Sequence, residues 1–275
     1  MSSLRPLSRT ALLPLALIAG ALLTGCPSTI KRAYPEPSVD AILAHLAEVR
    51  DGLHSFRTDS KMDYWVGKDR FRGTVWVMGE VGARVRMNAL KPDDSVAADL
   101  ACNGADFVYV DQLHNCVLWG PCNQDSIAQL LRVPLAPDDF LYLALGATPV
   151  IDGATGKVTW DSKHGREILE LTGSGGLQQR IVLDGRDQRW DVLESTMRKP
   201  DGTVIWTAEH TDYKVVNDEQ GHPHRVPGKS NFKTPEEKSD LLVEWGGKRA
   251  INLELGDDKF LLAPPDVATC GQQGN

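Results

Sequence analysis

Cysteines can bind metals or form disulfides, and their spacing in this chain helps to decide between the two. Four of the five lie in the body of the sequence, at Cys102, Cys116, Cys122 and Cys270. No Cys-x-x-Cys pair or histidine cluster accompanies them, so their spacing does not predict a metal site. Disulfide formation is the alternative chemistry, and it requires an oxidising compartment. The sequence that leads to the fifth cysteine, Cys26, indicates which compartment the protein enters.

Cys26 ends a segment with the features of a bacterial export signal. Arg5 and Arg9 form a positive N-terminal region, and the apolar stretch Ala11–Leu23 is too short to span a bilayer. The sequence Leu23-Thr24-Gly25-Cys26 resembles the lipobox of bacterial lipoproteins, in which the cysteine is acylated and becomes the mature N-terminus. We therefore predict a signal peptide over residues 1–25 and a lipid anchor on Cys26. An ordinary signal peptide, or a buried helix before a cysteine, is the alternative.

The residues after Cys26 indicate the membrane in which the protein is located and the domain organisation of the chain. Pro27 follows Cys26, so the aspartate that retains lipoproteins in the inner membrane of enterobacteria is missing. We expect the outer membrane, on its periplasmic side. Residues 26–37 contain three prolines and no hydrophobic periodicity, which indicates a tether. Residues 38–275 have a length that one β-rich domain can hold.

Charge narrows the choice of partners. The signal carries two basic residues and no acidic ones, so its removal lowers the formal charge from −7 to −9. An acidic body argues against nucleic acid as a partner. It also argues against a broad electrostatic contact with anionic lipid head groups. Membrane lipid is therefore expected as a partner only through the Cys26 anchor.

In an oxidising compartment the four body cysteines can form two disulfides, in three combinations. Residues 96–119 are predicted to form three consecutive strands. Cys102 ends the first strand, and Cys122 lies just past the third. Antiparallel order brings these two ends to the same side of a sheet, which favours a Cys102–Cys122 disulfide. Cys116 and Cys270 are left to pair or to stay free.

Signatures of catalysis are weak. Gly173–Gly176 lies between predicted strands, where a hairpin turn is more typical than a phosphate loop, since a phosphate loop opens a helix. His222 and His224 have no acidic or cysteine partner at a familiar spacing, and Pro223 between them favours a loop. His210 is interpreted as a surface or packing residue. We therefore predict a protein that is not an enzyme and that uses neither a cofactor nor a metal.

Hydrophobic periodicity predicts a helix, six strands, a helical insert and further strands. Ser38 is a suitable N-cap and Gly52 a suitable end for the first helix. The first strands are predicted at Ser55–Val66, Arg70–Met78, Ala83–Leu90, Val96–Cys102, Asp106–Asp111 and Asn115–Trp119. The insert covers Ile127–Leu145 and is interrupted by prolines. Later strands are predicted at Lys157–Asp161, Arg166–Leu171, Leu177–Leu183, Trp190–Arg198, Val204–Val215, Leu241–Trp245 and Ala250–Leu255.

Period-2 alternation in these strands predicts an antiparallel sheet with one apolar face. A pocket for acyl chains needs apolar walls and few polar groups. The candidate lining, with the helical insert as a lid, is Val75, Val77, Val85, Met87, Val96, Leu100, Leu130, Leu131, Leu141 and Leu145. The alternative is that all ten side chains fill an ordinary sealed core.

Five phrases of the chain, in order, resemble the LolA/LolB superfamily of lipoprotein carriers. They are Leu53–Phe56 after the first helix, Arg70–Val77, Asn103–Asp111, Phe140–Gly146 and the terminal phrase Phe260–Val267. One family phrase, Pro-x-x-Phe-Arg-Trp on the third strand, is reduced here to Ala-Arg-Val-Arg-Met over residues 83–87. The phrases together cover most of residues 39–268.

The resemblance implies a mainly β fold, an incomplete antiparallel β-barrel with helices in its open mouth. It also implies a concave apolar face that holds acyl chains. The expected function is therefore binding of acyl chains or lipidated proteins at the outer membrane, with a role in lipoprotein localisation. The alternative is a non-enzymatic sensor or assembly subunit of the envelope, which uses the same fold to bind a protein partner.

Overall fold

The computed structural model describes residues 29–131 and 136–271, without the side chains of residues 127, 129–131 and 188. The predicted signal peptide and Cys26 lie outside the described residues. Within that part of the chain, no helix has both the length and the apolar character needed to cross a bilayer.

The first element is helix α1 (Val39–Asp51), as the sequence predicts. The Ser38 hydroxyl accepts a hydrogen bond from the backbone N–H of Ala41, which satisfies one of the free N–H groups at the start of the helix. Ile42 and Leu46 are buried, one turn apart on the same face. The N-cap and the apolar stripe therefore fix both where α1 starts and which face packs.

Six strands follow, each the antiparallel neighbour of the one before it. They are β1 (Ser55–Val66), β2 (Asp69–Glu80), β3 (Arg84–Leu90), β4 (Val96–Asn103), β5 (Asp106–Asp111) and β6 (Cys116–Pro121). The bounds differ from the predicted ones by no more than two residues, so this half of the prediction is confirmed. Two helices then interrupt the strands, α2 (Gln124–Leu131) and α3 (Pro137–Ala144).

The second half contains more strands than the sequence predicts. They are β7 (Thr155–Asp161), β8 (Arg166–Thr172), β9 (Gln178–Asp184), β10 (Asp191–Arg198), β11 (Val204–Thr211), β12 (Lys214–Asn217), β13 (Pro223–Val226), β14 (Lys229–Thr234), β15 (Ser239–Trp245), β16 (Ala250–Ile251) and β17 (Ala268–Thr269). Two short 3-10 turns cover Arg186–Gln188 and Asp257–Phe260.

Three predicted features in this half are wrong. The strand predicted at Val204–Val215 is broken at Asp212, where a positive φ of 57° turns the chain from β11 into β12. The strand predicted at Ala250–Leu255 is reduced to two residues, because Asn252 also has a positive φ. Pro223, predicted in a loop, begins β13 and pairs with Asn217 at the end of a two-stranded ribbon.

One large sheet contains all the strands except β12 and β13. Its order is β17-β6-β5-β4-β3-β2-β1-β15-β14-β11-β10-β9-β8-β7, with β16 beside β1. The contact between β1 and β15 joins the two halves of the chain. The described pairings are antiparallel apart from β17 with β6. The mainly β prediction is confirmed. The sheet is open, since its end strands β7 and β17 do not pair with each other.

Two apolar clusters pack on this sheet. The larger one combines α3 with side chains from β1–β5 on one side and from β10–β15 on the other, so the sheet wraps around α3. The smaller one places Ile42 and Leu46 of α1 on β8–β10. We call the side of the sheet that faces α3 and α1 the concave face.

Candidate functional site

The predicted lining residues largely come together on the concave face. Seven of the ten belong to the larger cluster: Val75, Val77, Val85, Met87, Leu100, Leu141 and Leu145. Val96 does not join it; it is half-buried and lies past a register shift between β3 and β4 at Ala89/Leu90. The side chains of Leu130 and Leu131 lie outside the described residues.

Alternation along β2 separates the two faces of the sheet. Val77 is 1% exposed, whereas its neighbour Trp76 is 52% exposed on the opposite face. Val77 pairs with Met87 of β3, and Met87 pairs with Leu100 of β4. Cross-strand neighbours of this kind lie side by side on one face, so these three residues form a continuous apolar row.

Helix α3 covers this row. This eight-residue helix buries Phe140, Leu141 and Leu143, and Leu145, which follows its last residue, is buried as well. Leu141 approaches β2 at Gly79, where a Cβ atom would lie 3.1 Å from the leucine Cδ1. Glycine at this position therefore lets the helix sit close to the sheet. On the other half, the Phe140 and Phe232 rings are 6.3 Å apart.

A single carboxylate fastens the start of α3 to the sheet. Asp138 accepts hydrogen bonds from the backbone N–H groups of Ala83, at 2.8 Å, and Gly82, at 3.1 Å, in the turn between β2 and β3. The helix N-cap, Ala136, supplies no side-chain bond. We call the Asp138 contact the latch. Burial and the charge of Asp138 raise the pKa of the neighbouring Asp139.

The other end of α3 is fixed by Tyr213. Its hydroxyl donates to the carbonyl of Val192 at 2.6 Å, and the carbonyl of Gly146 lies 3.2 Å away. Gly146 has a positive φ of 84° and packs against Pro227 with no room for a side chain. The chain can therefore leave α3 sharply at this point only with glycine.

A cavity of about 510 Å³ lies between α1, the end of α3 and the β12–β13 ribbon. We call it the mouth cavity. Its walls include apolar Leu46, Val49, Leu53 and Val192 and polar His45, His224 and Arg225. Its volume is in the range of small-molecule pockets. It adjoins both apolar clusters, since Leu53 belongs to the larger one and Leu46 to the smaller one.

A polar group lies buried in the concave face near its middle. The Trp245 indole donates to the Ser230 hydroxyl at 2.8 Å, so that hydroxyl is left to donate to Nδ1 of His210, 3.0 Å away. Nε2 of His210 has no hydrogen-bond partner in the described part of the chain. Burial lowers the pKa of His210 to about 3, so the ring is neutral. This residue is thus a packed histidine in the sheet.

The buried His210 makes stability depend on pH. Its unfolded pKa is near 6.5, so below that pH the unfolded chain binds a proton that the folded chain does not. The neutral His210 ring therefore contributes fully to the free energy of unfolding above pH 6.5, and this contribution is lost as the pH falls towards 3. Between pH 7 and pH 5 we expect this residue to remove about 2 kcal/mol of unfolding free energy. Urea titrations of wild type and His210→Gln at both pH values measure it; equal losses in the two proteins would contradict it.

The histidine pair of the ribbon is organised around a carboxylate. Asp218 Oδ2 lies 3.0 Å from Nε2 of His224 and 3.4 Å from Nδ1 of His222, and the hydrogen bond from His224 lowers the pKa of Asp218. The part of the chain that the structure describes holds no group of three or more His, Cys, Asp or Glu side chains arranged for a metal.

Two disulfides are present. Cys102–Cys122 is the pairing that the sequence favours, and Cys116–Cys270 is the second. The first joins the end of β4 to the residue after β6. The second holds the chain near its C-terminus against β6, where β17 pairs with it. Both lie in the half of the sheet formed by β1–β6.

This chain is similar to known proteins in structure but not in sequence. No family model matches the chain, and no curated protein matches it significantly. Among solved structures, a LolA superfamily protein from Nitrosomonas europaea has a TM-score of 0.53 at 12% identity, covering 82% of this chain and 99% of that one.

Two further structures agree with it. A DUF1329 family protein from Desulfovibrio piger has a TM-score of 0.52 at 13% identity, and a domain named for outer membrane lipoprotein sorting, from Vibrio parahaemolyticus, has 0.51 at 12% identity. Each comparison covers 80% of this chain and 94% of the other. At such identities the likeness concerns the fold. The open sheet wrapped around a short helix is thus a LolA/LolB-like fold.

Proposed function

We propose that this protein binds acyl chains on the concave face of its sheet, with α3 as a lid that the ligand displaces. The ligand class is an acyl chain of a lipid or of a lipidated protein. The anchor on Cys26 holds the protein at the periplasmic side of the outer membrane, and lipoprotein localisation is the role that such binding serves there. Labelling cells with an alkyne fatty acid tests the anchor; label that persists in Cys26→Ala contradicts it.

The observation that carries the proposal is that α3 is short and is held on the sheet mainly by apolar contacts. An eight-residue helix is not stable by itself in water, so α3 depends on its contacts. Those contacts are apolar side chains against an apolar row, and an acyl chain can replace them at small net cost. One carboxylate, Asp138, fastens its first turn. Segments that move in binding belong to the less stable parts of a fold.

The fold comparison supports the ligand class. The Vibrio parahaemolyticus domain is named for lipoprotein sorting, and lipoproteins carry acyl chains. The apolar row of Val77, Met87 and Leu100 offers the surface that such chains need. The buried polar group around His210 lies farther along the same face. An apolar chain is not favoured over these polar side chains, so we expect the acyl-binding surface to end there.

Photolabelling tests the proposal. The protein is incubated with a diazirine-bearing fatty acid, irradiated and digested, and the labelled residues are mapped by mass spectrometry. We expect labels on concave residues of β2–β4 and on α3, with competition by unlabelled fatty acid. Trp76 and Trp119 are matched controls, since they lie exposed on the same half of the sheet. Labels confined to these two, or no competition, would overturn the proposal.

A further inference from the structure

Residues 30–34, in the predicted tether, pack firmly on the domain. The backbone N–H of Ile30 donates to the carbonyl of Ser162 at 2.7 Å, and the indole of Trp160 donates to the carbonyl of Ile30 at 2.9 Å. Ser162 lies in the turn between β7 and β8. The Ile30 side chain touches Gly165 of the same turn and stays 47% exposed. This segment is therefore a fixed part of the surface.

Arg32 and Tyr34 hold the segment in place. Arg32 makes a bidentate pair with Glu167, at 2.6 and 3.1 Å, and Glu167 is fully buried. Breaking the pair would leave that carboxylate buried without a partner, which is costly. Tyr34 sits edge-on between Trp160 and Trp190, with ring centres 6.2 and 5.6 Å away.

These contacts restrict the position of the predicted anchor. Cys26 lies four residues before Ile30. Consecutive Cα atoms are 3.8 Å apart, so the Cα of Cys26 is within about 15 Å of the Cα of Ile30, whatever the conformation between them. The acyl chains on Cys26 must therefore enter the bilayer close to the β7–β8 turn.

The mouth cavity lies on this same side. The β7–β8 turn and the turn between β9 and β10 are at one end of the sheet, because successive strands are antiparallel. Trp190, which touches Tyr34, is in the second turn and also lines the mouth cavity. We call the surface formed by Ile30, Lys163, Arg186 and Arg189 the anchor rim.

The charges of the anchor rim suit phospholipid head groups. The Arg186 side chain is 58% exposed, while that of its partner Asp184 is 7% exposed. Arg189 also reaches towards Asp184 and stays partly exposed. Arg186 and Arg189 are thus more exposed than the carboxylate that they share, and the exposed carboxylate of Asp187, 3.7 Å from Arg189, offsets one of these positive charges. In an acidic protein, this gives a local surface for lipid phosphates without a broad basic face.

We infer that the anchor rim lies on the phospholipid head groups, so that the mouth cavity is held beside the bilayer surface. The inference rests on the proposed anchor at Cys26 and extends the proposed function, because a lipid chain then passes between the membrane and the binding face over a short distance. The occupant of the rim is the bilayer itself.

Lysine acetylation measures this orientation. The mature, full-length lipoprotein is placed on vesicles of phosphatidylethanolamine and phosphatidylglycerol and treated with an acetylating ester. Lys163 lies in the β7–β8 turn of the anchor rim. Lys68 and Lys238 are exposed at the opposite end of the sheet, where the β1–β2 and β14–β15 turns meet. We expect Lys163 to react several-fold more slowly than it does in the variant described next, with Lys68 and Lys238 unchanged.

The matched variant has a flexible Gly/Ser spacer between Ser28 and Thr29. A spacer of about ten residues adds a root-mean-square reach of about 17 Å, and it leaves every contact of residues 30–34 intact. Protection of Lys163 should disappear in it. Protection of Lys68 or Lys238 instead, or equal reactivity of Lys163 in both proteins, overturns the orientation alone. A mature chain without acyl mass on Cys26 overturns the anchor as well, and the orientation with it.

Discussion

Replacing Cys116 and Cys270 by serine should lower the free energy of unfolding by about 5 kcal/mol, from the entropy of closing a loop of this length in the unfolded chain. The disulfide joins residues 154 positions apart. It also holds β17 on β6, next to the C-terminal segment whose Phe260 is buried. Urea unfolding monitored by tryptophan fluorescence measures the loss.

The second disulfide provides the comparison. Cys102 and Cys122 are 20 positions apart, so the same model predicts a loss of about 3 kcal/mol when both become serine. The order of the two losses is the prediction, because both pairs lie in the same half of the sheet. A larger loss from the Cys102/Cys122 variant would show that packing around these sulfur atoms outweighs loop entropy.

Asp138→Ala should bind a fluorescent fatty acid about tenfold more tightly than wild type. The latch exists only while α3 covers the concave face, so its loss weakens the closed state and leaves the bound state unchanged. Hydrogen bonds to a charged group contribute about 1.5–3 kcal/mol, and about 1.4 kcal/mol changes an equilibrium constant tenfold. Half-exposure of Asp138 places the expected effect at the lower end of that range.

Asp139→Ala is the matched control. It removes a carboxylate from the same turn of α3, whereas the N–H groups of Gly82 and Ala83 bond to Asp138. We expect fatty-acid affinity to stay within a factor of about two in this variant, because Asp139 is only partly buried and the bonds to the β2–β3 turn are made by Asp138. Weaker binding by Asp138→Ala would contradict the role of α3 as a lid and would indicate that the latch belongs to the binding surface.

The parts of the fold that the sequence predicted have strong local patterns. Ser38 and Gly52 mark the ends of α1, and the apolar residues between them recur at helical spacing. In β2 and β3, alternation assigns Val75, Val77 and Met87 to one face without any knowledge of their partners. Period and capping are properties of a few neighbouring residues, so they can be recognised in a single sequence.

The strands that the sequence did not predict lack that pattern. β14 contains one large apolar residue, Phe232, and its buried neighbours are Ser230 and Thr234. It is nevertheless an interior strand, between β11 and β15. Ser230 is accommodated there because its hydroxyl bonds to His210 and Trp245. Such satisfaction depends on strands that are distant in the chain, and composition does not reveal it.

The same limit applies to the candidate site. The apolar row was predictable because strand periodicity places its members on one face. The latch was not, since Asp138 bonds to backbone N–H groups 55 residues earlier, and backbone groups carry no residue signature. An acidic residue after Pro137 in the first turn of a helix is the only local indication, and it is typical of many helices. The mouth cavity likewise combines segments from four distant parts of the chain.

Hydrogen exchange of α3 tests the central claim, that an acyl chain displaces this helix from the concave face. Amide exchange of residues 138–145 is measured by mass spectrometry with and without a saturating fatty acid, and exchange in β8 and β9 serves as the internal reference. We expect the amides of α3 to lose protection when fatty acid binds, while those of β8 and β9 keep theirs. Fatty acid that binds with protection of α3 unchanged or increased would contradict it.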